Sequence, residues 1–121
     1  MPDRLFIYGT LHPDNAPSEI ADAVRGLKPI GPGKIFGRLY HFGSYPGVIL
    51  DDSGPEMVEG DVFAVPDAKT LARIDEYEEY YPQEPGKSLF KRMKTTVTLP
   101  NGSRESCWVY VYNRELPRKS A

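Results

Sequence analysis

The stretch that most constrains this chain lies in its last third. Pro100-Asn101-Gly102-Ser103 separates two runs, Phe90 to Leu99 and Ser106 to Tyr112. Asn-Gly accepts positive φ readily, so the four residues read as a hairpin turn, and the flanking runs as an antiparallel pair of strands. The return strand alternates cleanly. Cys107, Val109 and Val111 face one side, and Trp108, Tyr110 and Tyr112 face the other.

The rest of the chain is punctuated in the same spirit. Twelve prolines, 11 glycines and eight tyrosines predict many turns and several short strands, not a helical bundle. Leu5-Phe6-Ile7-Tyr8 reads as a buried strand that stops at Gly9, with Leu5 and Ile7 on one face and Phe6 and Tyr8 on the other. Loop chemistry follows over His12 to Pro17. Ser18 to Arg25 is a short helix, capped by Ser18 and ended by Gly26. Lys28 to Gly33 reads as a bend-rich connection and Ile35 to Tyr40 as a strand, in which Gly37 marks a bulge or a close backbone approach. His41 to Gly47 reads as a tight irregular loop, Val48 to Leu50 as a short strand, and Asp51 to Pro55 as a surface turn. Val58 to Val65 is the next strand, interrupted by Gly60. Asp67 then caps a helix running from Ala68 to Tyr77 or Glu79, and residues 80–88 form an exposed loop. Five to seven short strands with two modest helices make an α+β pattern. Glycine-interrupted strands let a sheet curl, so the expected architecture is a small closed or nearly closed β-barrel with peripheral helices. Residues 1–113 read as one domain, and 114–121 as a polar C-terminal tail.

A formal net charge of −2 gives no broad electrostatic case for nucleic acid or an anionic membrane surface. No stretch is long enough to span a bilayer. The lone Cys107 excludes an intrachain disulfide framework, and these features together suggest a reducing, cytoplasmic setting.

Two stretches carry candidate chemistry. A buried strand opening at Gly9 into a loop with free backbone N–H groups suits an anionic small molecule, although a core strand followed by a turn explains the same residues. The second stretch is Asp75-Glu76-Tyr77-Glu78-Glu79. At about 100° per residue, Leu71, Ile74 and Glu78 fall on one stripe, Glu76 on the opposite side, and Asp75 and Glu79 beside the stripe. Glu78 is thereby carried toward the sheet, where burial raises a carboxylate toward the range useful to a general base. The alternative is a buried ion pair between Glu78 and an arginine, Arg92 or Arg38. His12 and His41 read as loop residues without metal-ligand spacing, and Cys107 as a buried inert thiol. There is no dinucleotide or phosphate-loop glycine motif.

With these residues in view, the sequence resembles the γ-glutamylcyclotransferase-like superfamily, in particular its AIG2-like and γ-glutamylamine cyclotransferase branch. Leu5 to Leu11 is similar to the opening Tyr-Gly-Ser/Thr-Leu strand of that family. Gly37-Arg38-Leu39-Tyr40 with Tyr45-Pro46-Gly47, and Val58-Glu59-Gly60-Asp61-Val62-Phe63, are similar to its next two segments. Leu71 with Ile74-Asp75-Glu76-Tyr77-Glu78 resembles its L-D-x-Y-E helix. Phe90-Lys91-Arg92 and Trp108 to Tyr112 resemble its later Y-x-R segment and aromatic strand. The resemblance covers nearly the whole chain and implies a small mixed barrel with helices outside it. It implies a substrate pocket at Tyr8, Gly9, Thr10 and Leu11, and Glu78 as the catalytic base.

The implied reaction is intramolecular: the α-amine of a γ-glutamyl amine or γ-glutamyl amino acid attacks its own γ-carbonyl, forming 5-oxoproline and releasing the attached amine. It requires no metal or organic cofactor, and the partner is the small-molecule γ-glutamyl substrate. Two positions depart from the pattern: Phe90 stands where tyrosine is usual, and Glu79 where glycine commonly follows the glutamate. The departures keep open a non-catalytic small-ligand or interaction module on the same fold. A second rival is another amine- or acyl-handling reaction on the same pocket, such as release of a γ-glutamyl protecting group in biosynthesis.

Overall fold

In the computed structural model, which describes residues 3–8, 18, 20–42, 45–51 and 54–113, the hairpin forms as its alternation predicts. Strands β5 (Phe90–Thr98) and β6 (Arg104–Tyr112) pair in unbroken antiparallel register from Phe90↔Tyr112 to Thr98↔Arg104. The turn is closed by Gly102 N–H on the Leu99 carbonyl (2.9 Å) and Leu99 N–H on the Ser103 carbonyl (2.9 Å), with Gly102 at φ 85°.

Four further strands precede the hairpin: β1 (Arg4–Ile7), β2 (Lys28–Phe42), β3 (Tyr45–Leu50) and β4 (Met57–Ala64). The order across the sheet is β1-β4-β2-β3-β6-β5, and a β1–β6 pairing at Leu5↔Trp108 joins the first five into a ring. The fold is thus a small mixed five-stranded barrel, with β5 added on β6. The β1–β6 and β3–β6 contacts are parallel and the remaining pairings antiparallel. Closure brings neighbouring backbones close. A Cβ at Gly37 would lie 2.6 Å from the Ile49 carbonyl oxygen, and one at Gly60 would collide with the Ile7 carbonyl and come within 2.7 Å of the Phe6 ring.

The two faces of the sheet build two cores. Phe6, Ile35, Val48, Val58, Val62, Val97, Cys107, Val109 and Val111 form one cluster of strand residues, the barrel interior. Leu5, Ile7, Phe63, Phe90 and Tyr110 point outward and are covered by Ala23 and Val24 of α1 (Ala21–Arg25) and Leu71 and Ile74 of α2 (Ala68–Tyr77). The split of Leu5 and Ile7 from Phe6, and of Cys107, Val109 and Val111 from the aromatic face of β6, follows the period-2 reading.

Four local expectations are corrected. Lys28 to Gly33 is the first part of β2, not a bend-rich connection. It pairs with β4 through Lys28↔Ala64 and Gly33↔Gly60, and a register shift between Pro29 and Gly31 accommodates the irregular residues. His41 to Gly47 is not a loop throughout, because β2 and β3 continue their pairing to Phe42↔Tyr45. The segment 80–88 is only partly exposed: a 3₁₀ turn at Pro85–Lys87 leads into Ser88, which is fully buried and receives the Tyr81 N–H at 2.8 Å. Helix α1 begins at Ala21 with Ile20 at its N-cap, which makes no side-chain cap bond, so Ser18 is not the cap. The expected His12–Pro17 loop and the 114–121 tail lie outside the described residues, as do Asp52 and Ser53 of the surface turn.

Candidate active site

Helix α2 carries the candidate base. Asp67 caps its start, accepting from the Thr70 N–H and hydroxyl, each at 2.8 Å, and these bonds hold the Asp67 carboxyl below its usual range. The other end closes as a Schellman motif. Glu79 N–H donates to the Glu76 carbonyl (3.1 Å) and Tyr80 N–H to the Asp75 carbonyl (2.9 Å). This closure needs a left-handed residue just past the cap, and that residue is Glu79 at φ 56°, the one non-glycine with positive φ among the described residues. Here, then, a glutamate adopts the conformation that glycine takes most easily. Its carbonyl also receives the Leu89 N–H at 3.0 Å, which fastens the following loop.

Glu78 is the cap residue itself, its N–H on the Ile74 carbonyl at 2.9 Å. Leu71 and Ile74 are buried, Glu76 is exposed, and Glu78 is partly buried at the end of the apolar stripe, as the helical wheel predicts. Burial, with the neighbouring Glu79 charge second, pushes the Glu78 carboxyl up to about 7.

The alternative reading, an arginine paired with Glu78, does not hold, because another carboxylate takes that arginine. Arg92 reaches Asp75 with two bonds, Nε to Oδ1 at 2.8 Å and a terminal nitrogen to Oδ2 at 3.2 Å. Arg38 pairs instead with Glu56 at 3.7 Å on the surface. Asp75, beside the apolar stripe, is the only buried carboxylate among the described residues and also accepts the Tyr110 hydroxyl at 2.6 Å. The guanidinium of Arg92 lies over the Trp108 ring, 4.2 Å from its centroid, and 5.8 Å from that of Tyr80. Sequence reasoning missed this cluster. Its signals were Asp75 one residue from Ile74 and Tyr110 on the aromatic face of β6, but only the register of β5 shows that Arg92 stands opposite Tyr110.

Across from α2, the Tyr8 hydroxyl bridges two strands. It donates to the Tyr110 carbonyl at 2.6 Å and accepts the Val48 N–H at 3.2 Å. Burial raises the Tyr8 phenol and keeps it neutral; the Val48 bond opposes this and the Glu78 charge adds to it. Glu78 acts in the same direction on the Tyr110 hydroxyl, whose rise is due first to burial and then to Asp75. Tyr8 and Glu78, 70 residues apart by their numbers, are therefore brought into one electrostatic neighbourhood. Gly9, Thr10 and Leu11 lie outside the described residues.

Phe90, where a tyrosine was the expected type, is a core residue set edge-on to Tyr112, with centroids 5.9 Å apart. Cys107 is buried and unpaired, and burial pushes its thiol up, away from reactivity. Among the described residues no group of three or more His, Cys, Asp or Glu side chains is placed to hold a metal ion. No helix among them is long and apolar enough to cross a membrane.

Comparison with known proteins agrees with this fold. Residues 5–121 match the family described as gamma-glutamyl cyclotransferase, AIG2-like. A gamma-L-glutamyl-butirosin B gamma-glutamyl cyclotransferase from Niallia circulans is 35% identical over 114 residues, covering 93% of this chain and 68% of that protein. The crystal structure of an AIG2-like protein from Mus musculus superposes with a TM-score of 0.73 at 22% identity, covering 96% of this chain and 80% of that one. YkqA from Bacillus subtilis superposes with a TM-score of 0.70 at 19% identity over 93% of this chain, which spans only 36% of YkqA. The barrel with its outer helices and the match over residues 5–121 lead to one conclusion: the chain belongs to the AIG2-like γ-glutamyl cyclotransferase family of enzymes.

Proposed function

We propose that the protein cyclises a γ-glutamyl amine or γ-glutamyl amino acid to 5-oxoproline and releases the attached amine, with Glu78 as general acid and base. The observation that carries this reading is the Glu78 carboxyl, held at the cap of α2 in the neighbourhood of Tyr8 and balanced near pH 7. A group with that balance takes a proton at neutral pH and returns it.

The substrate's α-amine arrives mostly as an ammonium. Glu78 removes one proton, and the freed nitrogen pair attacks the γ-carbonyl carbon. The new C–N bond closes the five-membered ring, and the carbonyl electrons move to oxygen. Collapse of that oxyanion breaks the bond to the leaving nitrogen, which takes the proton from Glu78. The ring nitrogen, which still carries one proton too many after the attack, passes it through the re-ionised Glu78 to the released amine, which departs as an ammonium. Backbone N–H groups of Gly9, Thr10 and Leu11 hold the substrate carboxylate or the oxyanion, and Tyr8 forms the adjoining wall. Nucleophile and electrophile belong to one molecule, so folding the substrate correctly supplies much of the acceleration. No metal or organic cofactor takes part. The relative from Niallia circulans, named for γ-L-glutamyl-butirosin B, supports an amide-bound γ-glutamyl group as the substrate class. A single buried, unpaired cysteine is consistent with a reducing, cytoplasmic setting.

The test is mass spectrometry over a panel of γ-glutamyl amines and γ-glutamyl amino acids. At least one is expected to give 5-oxoproline and its free amine in equal amounts. No product from any member would overturn the reading in favour of a non-catalytic binding module.

A further inference from the structure

We propose that Tyr110 is a positioning residue that joins the two halves of the site, setting the end of α2 against Tyr8 at the end of β1. The proposal rests on Glu78 being the working group of the site. Two bonds from this one residue make the joint. The Tyr110 hydroxyl donates to Asp75 Oδ1 at 2.6 Å, and the Tyr110 carbonyl accepts the Tyr8 hydroxyl at 2.6 Å.

On the helix side, Asp75 lies three residues before Glu78, and its own carbonyl takes the Tyr80 N–H two residues after Glu78 at 2.9 Å. The chain on both sides of Glu78 is thus tied to Asp75. The Asp75 carboxylate is in turn fixed by the two Arg92 bonds and the Tyr110 hydroxyl, all three from the β5–β6 hairpin. On the strand side, the Tyr8 hydroxyl is held between the Tyr110 carbonyl and the Val48 N–H.

The Tyr110 hydroxyl is not needed to place β6. The nine-residue β5–β6 ladder does that, and Leu71 and Ile74 already seat α2 by apolar burial. Apolar contact is non-directional and leaves the last helical turn free to rock by a fraction of an ångström. A short hydrogen bond to a carboxylate that is itself clamped by an arginine removes that freedom. The groups coupled to Glu78 by charge are Tyr8, the residue after β1, Tyr110 of β6 and the neighbouring Glu79.

The variant Tyr110→Phe removes one hydroxyl, retains the ring in its core site and leaves the carbonyl that binds Tyr8. Two readouts are needed, one of them independent of turnover. The first is a ¹³C NMR titration of the Glu78 carboxyl, assigned by comparison with Glu78→Gln. Its midpoint is expected to fall by about one pH unit in Tyr110→Phe, because a loosened helix end admits water to the carboxylate. The second is steady-state kinetics, where kcat is expected to fall about tenfold or more with KM changed less than about twofold. A lower melting temperature with an unmoved Glu78 midpoint and unchanged kcat overturns the proposal and leaves Tyr110 a structural residue. Should Tyr110→Phe fail to fold, Asp75→Asn weakens the link at its helix end, putting a neutral amide oxygen in place of the carboxylate that accepts the Tyr110 hydroxyl, and both readouts are expected to move in the same directions. If the native protein converts no γ-glutamyl compound, the functional reading falls, while the NMR titration still decides whether Tyr110 positions Glu78.

Discussion

Replacing Glu79 by glycine perturbs two quantities at once, and the structure gives the sign of both. At φ 56° Glu79 closes the Schellman motif in a conformation that costs a residue with a Cβ roughly 1–2 kcal/mol. Glycine escapes that strain but makes the unfolded chain more flexible, which offsets about 0.5–1 kcal/mol of the gain. The net stabilisation is about 0.5–1 kcal/mol, and for a chain of 121 residues this raises the melting temperature by about 2–5 °C. The second effect is electrostatic. After burial, the Glu79 charge is the other cause of the raised Glu78 pKa of about 7. Removing it lets Glu78 ionise at lower pH, while burial keeps the midpoint above the ordinary carboxylate value. A general base works when ionised, so the rising limb of kcat/KM against pH moves to lower pH. Thermal unfolding by circular dichroism and a profile from about pH 5 to 9 measure the two effects. Glu79→Gln separates them, because it retains the strained backbone and loses the charge; its limb moves without the thermal gain. A glycine variant that melts lower, or a limb that stays in place in both variants, would refute the reasoning.

Three further outcomes follow from the same structure. The folded pKa of Glu78 lies above its unfolded value of 4.5, so its contribution to stability is fully present below pH 4.5 and is lost as pH rises toward about 7, then levels. Glu78→Gln abolishes this slope and, above pH 7, stabilises by about 1–2 kcal/mol once partial exposure is allowed for, measurable by urea unfolding at two pH values. Asp75→Ala leaves Arg92 without its carboxylate and Tyr110 without its acceptor, and is expected to destabilise by about 3–5 kcal/mol in the same assay. Gly60→Ala drives a methyl group into the Ile7 carbonyl and the Phe6 ring where β4 crosses β1, and is expected to cost about 1–3 kcal/mol. An alanine variant as stable as the native chain would show that β1 and β4 are less closely packed than described.

Legibility in the sequence divides along physical lines. Strand β6 was readable because both of its faces are apolar at period 2, and α2 because Asp67 and the Leu71–Ile74 stripe are local signals. The first part of β2 was not readable. Pro29, Gly31, Pro32 and Gly33 all oppose a strand locally, and the pairing with β4, with its register shift, overrides them. The Schellman closure was hidden by a glutamate in the place where glycine would have announced it. The wheel puts Glu78 at the end of the apolar stripe, and the alternative that paired it with Arg92 does not hold. Asp75 and Glu78 are three residues apart on one helix end, and only the tertiary crossing of β5 decides which carboxylate an arginine meets.

The central claim is that Glu78 moves the proton in a γ-glutamyl cyclisation. It is tested most directly by the rate of 5-oxoproline formation in the native protein and in Glu78→Gln, on whichever γ-glutamyl compound the panel identifies, with folding of the variant verified by circular dichroism. The variant retains the size of the side chain and the α2 cap but has no group able to accept the ammonium proton. The rate is expected to fall by about a hundredfold or more, the scale of a lost general base. A Glu78→Gln protein that forms 5-oxoproline at the native rate would contradict the account.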